Sequence, residues 1–188
     1  LHVVVLSQDA GASLLDEIRT SVGSDRWKPS MVTLRSGTAL RKDHLERVDF
    51  ANASAVILPA GDFSDVDPAT VDTFTIKALL SMSNQTGIDD PSELPLAVAE
   101  VVDGRKADIA RSAYRGHLEV IAADTVIARL LGQNLRHHGL SEVYAELLTH
   151  GEGNELYVRK HPELGGRRWS ELASCFELAV PFGLLKRR

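Results

Sequence analysis

The sequence predicts a doubly wound parallel α/β sheet, on three observations. Residues 31–60 contain two short apolar runs rich in β-branched residues, at 31–35 and 55–59. Between them lies a charged stretch whose apolar residues Leu40, Leu45 and Val48 recur at helical spacing, giving strand, helix, strand. Third, the strand runs are nearly continuous in apolar residues instead of alternating, as in strands covered on both faces. A helical crossover of this length joins parallel neighbours.

Taken in order, residues 2–6 are a buried-strand pattern, followed by Ser7, Gln8 and Asp9. A helix follows with Leu14, Leu15, Ile18 and Val22 on one face, stopped by Gly23. Pro29 biases Lys28 toward an extended conformation before the strand at 31–35. After the strand at 55–59 comes an acidic segment, then a helix carrying Val71, Phe74, Ile76, Leu79 and Leu80. A polar loop over 84–93 precedes a strand at 94–100, where Pro95 is tolerable near the start. A short helix at 105–114 and a strand at 118–121 complete the sheet.

Residues 122–138 are the clearest helix: Asp124 stands at its start, Val126, Ile127, Leu130, Leu131 and Leu135 form its stripe, and Gly139 stops it. A further helix over 141–149 takes Ser141 as its cap. From residue 150 the pattern changes to a short strand at 155–158, a turn at 162–166 and a helical piece at 168–172. The sequence therefore divides into a Rossmann-like lobe over 1–122, packing helices over 123–150, and the start of a small α+β subdomain over 151–188. No GxGxxG occurs anywhere. The first run then reads as the second strand of a complete fold, with the first strand and its Gly-rich loop missing.

Composition excludes several classes. The 188 residues are 44% hydrophobic and 25% charged with formal charge −5, and phosphate-binding proteins usually carry a basic footprint, so no nucleic-acid partner is expected. The only basic run is at 186–188, a solvated tail or a docking patch. No apolar run approaches the roughly 18 residues of a membrane span, and residues 1–6 are too short and uncharged for a signal peptide. The chain by itself reads as soluble. Opening inside a strand, it reads as cut from something longer. Its single cysteine, Cys175, forms no internal disulfide and reads as a small buried hydrophobe. GxSxG, P-loop and HExxH motifs are lacking, and His137 and His138 suit a helix terminus better than a metal.

An open α/β sheet binds its ligand at the carboxyl ends of its strands. Here that rim holds Ser7, Gln8, Asp9, Ser36, Gly37, Ala60, Gly61, Asp62 and Glu100. In a dinucleotide fold the acid after the second strand holds a ribose, a place taken here by Gln8 or Asp9. Asp62, Asp65 and Asp67 invite a calcium-loop reading, but the Gly and Glu that an EF-hand needs are not in register. The better reading is a helix cap, Asp67 before Pro68, with Asp65 at the positive end of the helix dipole. Leu130, Leu131, Val143, Tyr144 and Leu147 offer either a subunit interface or internal core.

A specific resemblance covers most of the chain. It is carried by residues 35–60 (RSGTALRKDHLERVDFANASAVILPA), 123–131 (ADTVIARLL), 140–148 (LSEVYAELL), 153–158 (GNELYV), 162–166 (PELGG), a Trp-Ser-Glu-Leu helix and 179–183 (AVPFG). In that order these segments resemble the CASTOR and POLLUX ion channels, in the part continuing their RCK, or TrkA-N-like, domain. The resemblance implies a regulatory module on the cytoplasmic face of a membrane, following its own transmembrane pore domain in a homo-oligomer, a tetrameric gating ring. Such a ring couples a ligand, Ca2+ or a nucleotide, to the conduction of cations such as potassium.

Carried over by position, the family's second-strand acid falls on Gln8, a departure that weakens a nucleotide site. Its helix acid falls on Asp72 and its fifth-strand acid on Glu100. The ligand set so implied is Gln8, Asp9, Ser36, Gly37, Gly61, Asp62, Asp72 and Glu100, with Asp62, Asp65 and Asp67 as cation candidates. The alternatives are a soluble Trk-like potassium-uptake subunit or a fragment of an NAD-dependent oxidoreductase. The latter lacks a catalytic Tyr, Lys or His near Glu100. On the channel reading the protein is not an enzyme.

Overall fold

A computed structural model describes residues 2–23, 25–61, 67–85, 88–149 and 155–185. It has five strands, β1 (Val3–Ser7), β2 (Val32–Ser36), β3 (Ala55–Leu58), β4 (Leu96–Val101) and β5 (Leu118–Ala122). The helices are α1 (Ala12–Val22), α2 (Lys42–Arg47), α3 (Pro68–Ser83), α4 (Ala107–Ala113), α5 (Ala123–Arg136), α6 (Leu140–Leu148) and α7 (Trp169–Leu172). Every strand pair is parallel, as the crossovers demand, so the Rossmann-like α/β class expected from the sequence holds. The strands fall in two sheets, β1-β2 and β3-β4-β5. The strand, helix, strand unit of residues 31–60 thus leads from one sheet into the other.

The chain forms two compact units, residues 1–132 and 133–188. The first is built around β4, whose burial alternates strongly: Ala97, Ala99 and Val101 have almost no exposure. Small residues there let α3 and α4 approach the sheet closely. Alpha-4 answers with an alanine face, Ala107, Ala110 and Ala113, and α3 contributes Leu79 and Met82. Leu45 of α2 and Phe50 belong to the same core, and Leu6, Val56 and Leu58 pack against it. Polar contacts fasten the C-terminal end of α3. Arg115 donates from Nε and Nη2 to the Ser83 carbonyl and from its backbone to Ser83 Oγ, while Tyr114 Oη donates to the Pro95 carbonyl at 2.6 Å. Burial pushes the Tyr114 phenol up to about 12.

Several local expectations are met. Gly23, at φ 86, ends α1, because a left-handed φ costs glycine nothing. Asp67 caps α3 with Pro68 at its first position: the carboxylate accepts from Ala69 N at 2.8 Å and Thr70 N at 3.1 Å.

Others are corrected. Alpha-2 spans only six residues, leaving Leu40 and Val48 outside it. Gly139, at φ 86, occupies the N-cap of α6 without a side-chain bond, so Ser141 lies inside the first turn and does not cap. In the second unit the expected strand at 155–158 is coil. Apolar residues set a strand's propensity, but a strand exists only against a partner. Leu156, Tyr157 and Val158 are exposed. The helical piece over 168–172 forms as α7, continued as a 3-10 turn to Cys175. Leu172 is buried; Cys175, expected inside, is only partly covered and donates from Sγ to the Glu171 carbonyl. Residues 150–154, where the sequence pattern changes, and the basic run at 186–188 lie outside the described residues.

Candidate functional site at the carboxyl rims of the sheets

In the first sheet the pairing Ser7↔Ser36 aligns the ends of β1 and β2. Gly37 N donates to the Ser7 carbonyl at 2.9 Å, extending the ladder one residue into the loop. Helix α2 then holds that loop from behind. Thr38 N donates to His44 Nδ1 at 3.0 Å, and Arg47 Nη2 donates to the Ser36 carbonyl. An imidazole nitrogen that accepts is unprotonated, so this contact uses the tautomer with hydrogen on Nε2. A side chain at Gly37 would crowd its neighbours: a Cβ would lie 2.8 Å from both Leu6 Cδ1 and His44 Nδ1. Gln8, Asp9 and Ser36 are exposed at this rim, while Gly37 is buried. Ser36 Oγ reaches the Gln8 carbonyl at 3.5 Å, so these four residues form one edge.

In the second sheet Glu100, half-buried at the end of β4, accepts from Ala60 N at 3.0 Å. Its carboxylate therefore fixes the start of the loop after β3. Gly61 is exposed beside it. Asp72 has no solvent exposure although it is ionisable. Both its oxygens are engaged. Oδ1 accepts from Val102 N at 2.7 Å, and Oδ2 accepts from Asp103 N at 3.1 Å and pairs with Lys106 Nζ at 3.2 Å. A buried carboxylate persists where amides and a cation replace its water, and this one locks the loop after β4 to α3. The loop is held from the other side by Asp124, which accepts from Gly104 N at 3.0 Å. The Arg105 guanidinium holds the Asp103 carboxyl down to about 2, and the Gly104 amide lowers that of Asp124.

The predicted ligand residues thus divide. Gln8, Asp9, Ser36 and Gly37 come together at the first rim, and Glu100 stands with Gly61 at the second. Asp72 is engaged inside, turned to the backbone of the β4–α4 loop. For the cation candidates, Asp67 is occupied by its cap bonds, including Thr70 Oγ1 at 2.6 Å, which lower its pKa. Asp62 and Asp65 lie outside the described residues. Among the described residues no group of three or more His, Cys, Asp or Glu could hold a metal. Sequence reasoning missed the Asp103, Arg105, Lys106 and Asp124 contacts; the run Asp-Gly-Arg-Lys after a strand is the signal that could have found them.

The predicted interface residues lie on α5 and α6. Neither α5 nor α6 has a buried residue. Leu131 is 67% exposed and Val143 50%, while Leu130, Tyr144 and Leu147 are half-covered. No described helix is long and apolar enough to cross a membrane.

Residues 124–188 match the family described as Castor and Pollux, part of voltage-gated ion channel. Ion channel CASTOR of Lotus japonicus is 26% identical over 158 residues, covering 84% of this chain and 18% of that protein. The chain is similar in sequence to the CASTOR and POLLUX ion channels. The probable ion channel POLLUX of Oryza sativa subsp. japonica is 29% identical over 153 residues, 81% of this chain and 15% of its own. The corresponding Arabidopsis thaliana protein is 28% identical over the same length. The matched part of the chain therefore spans less than a fifth of the length of these proteins. The family match begins at Asp124, so it takes in both helices with uncovered apolar faces.

Proposed function

We propose that this chain is a regulatory, gating part of a CASTOR/POLLUX-like cation channel, on the cytoplasmic face of the membrane. The observation that carries the reading is similarity over four-fifths of the chain to proteins named as ion channels. The role is non-catalytic: a ligand or cation binds the rim residues Gln8, Asp9, Ser36, Gly37, Gly61, Asp62 and Glu100 and biases the pore. A ligand does so only through different affinities for two arrangements. Asp62 and Asp65 are the proposed cation contacts, with Asp67 kept as the cap of α3. Asp72 contributes from within, by holding the loop after β4. The interface residues Leu130, Leu131, Val143, Tyr144 and Leu147 supply apolar surface for neighbouring subunits of a tetramer, the RCK-like arrangement.

The test is single-channel recording of the full-length protein in a planar bilayer. Ca2+, Mg2+, K+ and NAD are applied in turn to the side bearing this domain. At least one should change the open probability, and Glu100→Gln should shift its concentration dependence without changing unitary conductance. Gating indifferent to all four probes and to the substitution would reject the reading. So would the absence of any conduction.

A further inference from the structure

In the loop after β2, Gly37 N donates to the Ser7 carbonyl, Thr38 N to His44 Nδ1 and Leu40 N to Thr38 Oγ1. Of these acceptors only the imidazole can be lost to a proton in the mildly acidic range. A backbone N–H can only donate, so Nδ1 must offer its lone pair here, and an imidazolium has none to offer. The ring is closely seated. Its side chain is 17% exposed, and a Cβ on Gly37 would meet Nδ1 at 2.8 Å and Cγ at 2.9 Å.

The surrounding charges do not compensate for that conflict. Asp43 Oδ2 lies 3.8 Å from His44 Nε2, beyond hydrogen-bond reach, and both Asp43 oxygens already accept from Arg41, at 3.0 and 2.9 Å. Arg47, three residues on and on the same face of α2, is a fixed cation whose Nη2 holds the Ser36 carbonyl, so a charge on His44 would be repelled by it. Lys42 and Glu46, two residues to either side, stand on other faces of the helix. Beta-1 and the loop bring Leu6, Gly37 and Thr38, none of them ionisable. From α3, which packs on α2, the ionisable groups are Asp72, paired with Lys106, and the exposed Lys77. Asp9 and Arg35, the other charged residues of this rim, are exposed.

We propose that His44 is a proton-operated latch on the first rim, whatever ligand that rim takes. With the imidazole neutral, Thr38 N is held and the loop after β2 stays fastened to α2. Protonation sets an N–H against an N–H, and the loop parts from the helix so that the Thr38 amide reaches water. Gly37 adjoins it, and the Gly37 amide carries the extension of the β1–β2 ladder to Ser7. Release therefore loosens the edge where Gln8, Asp9, Ser36 and Gly37 meet. Because the fastened loop requires the neutral ring, the latch is closed above the ordinary histidine range, about pH 6.5, and opens below it.

Hydrogen exchange resolved to single amides in the full-length protein tests this at about pH 8 and about pH 5, each rate divided by that of an unstructured peptide at the same pH. Thr38 should lose about tenfold of its protection at the lower pH, while Val98, inside the second sheet, keeps its own. His44→Asn places an amide oxygen that accepts and does not titrate, so Thr38 should stay protected at both pH values. His44→Phe has no acceptor and should leave Thr38 at the low value throughout. Equal Thr38 protection at the two pH values in the unsubstituted protein would overturn the proposal without recourse to a variant. A pH-dependent loss that persists in either variant would overturn it too, since another group would then be titrating.

Discussion

Helices α3 and α5 are similar in length and both stand beside strands, yet α3 buries seven residues and α5 none. Alpha-3 lies over β4 and α4, where Leu79 and Met82 complete a core. Alpha-5 has the more regular stripe, but its Val126, Ile127, Leu131 and Leu135 stay exposed. The lesson is that periodicity announces which face of a helix wants cover, while only the fold says whether this chain supplies it.

That contrast can be broken most forcefully at Leu79. Leu79→Ala should cost about 4 kcal/mol in urea unfolding, because a fully buried leucine leaves a cavity. Leu131→Ala on the open face should stay within about 0.5 kcal/mol in the same assay, and a large loss there would mean that α5 is covered within the chain. Asp72→Ala should cost about 3 kcal/mol, leaving the Val102 and Asp103 amides and the Lys106 ammonium without their shared acceptor. An unchanged midpoint would show that the carboxylate does not hold the loop.

Tyr114→Phe should lose about 1–2 kcal/mol, since the Pro95 carbonyl would be left without its buried donor. Asp67→Ala should remove about 1 kcal/mol by uncapping α3, readable as a lower melting temperature and faster exchange of the first-turn amides. The smallest effect concerns pH. Asp103 sits at about 2, and Asp67 and Asp124 are also lowered, so each contributes stability above the ordinary carboxylate value that is lost as pH falls through the folded one. Their contribution to the urea midpoint should hold from about pH 8 to 5 and decline between about pH 4 and 2. Asp103→Asn should flatten that decline.

Much of the first unit was legible from residue order. The parallel class and the five strands follow from apolar runs separated by crossover-length stretches, and Asp67-Pro68 announced the start of α3. What escaped is what depends on distant partners. Asp72 was assigned to a ligand because nothing in a linear reading reveals the amides of Val102 and Asp103, thirty residues away. Glu155 to Val158 has strand composition yet is coil, since composition alone does not supply a neighbouring strand. Ser141 looked like a cap because serine commonly is one, but Gly139 could adopt the left-handed turn between α5 and α6 and took the position. The rim residues Gln8, Ser36 and Gly37 could be grouped in advance, since parallel strands end side by side.

Asp72 near the start of α3 and Ser83 at its end are each tied to the α4 segment, the first through Val102 to Lys106 and the second through Arg115. A rod riveted at both ends to the plate beneath it cannot slide independently. With both ends tied, α3, β4 and α4 share their polar anchors as well as their core.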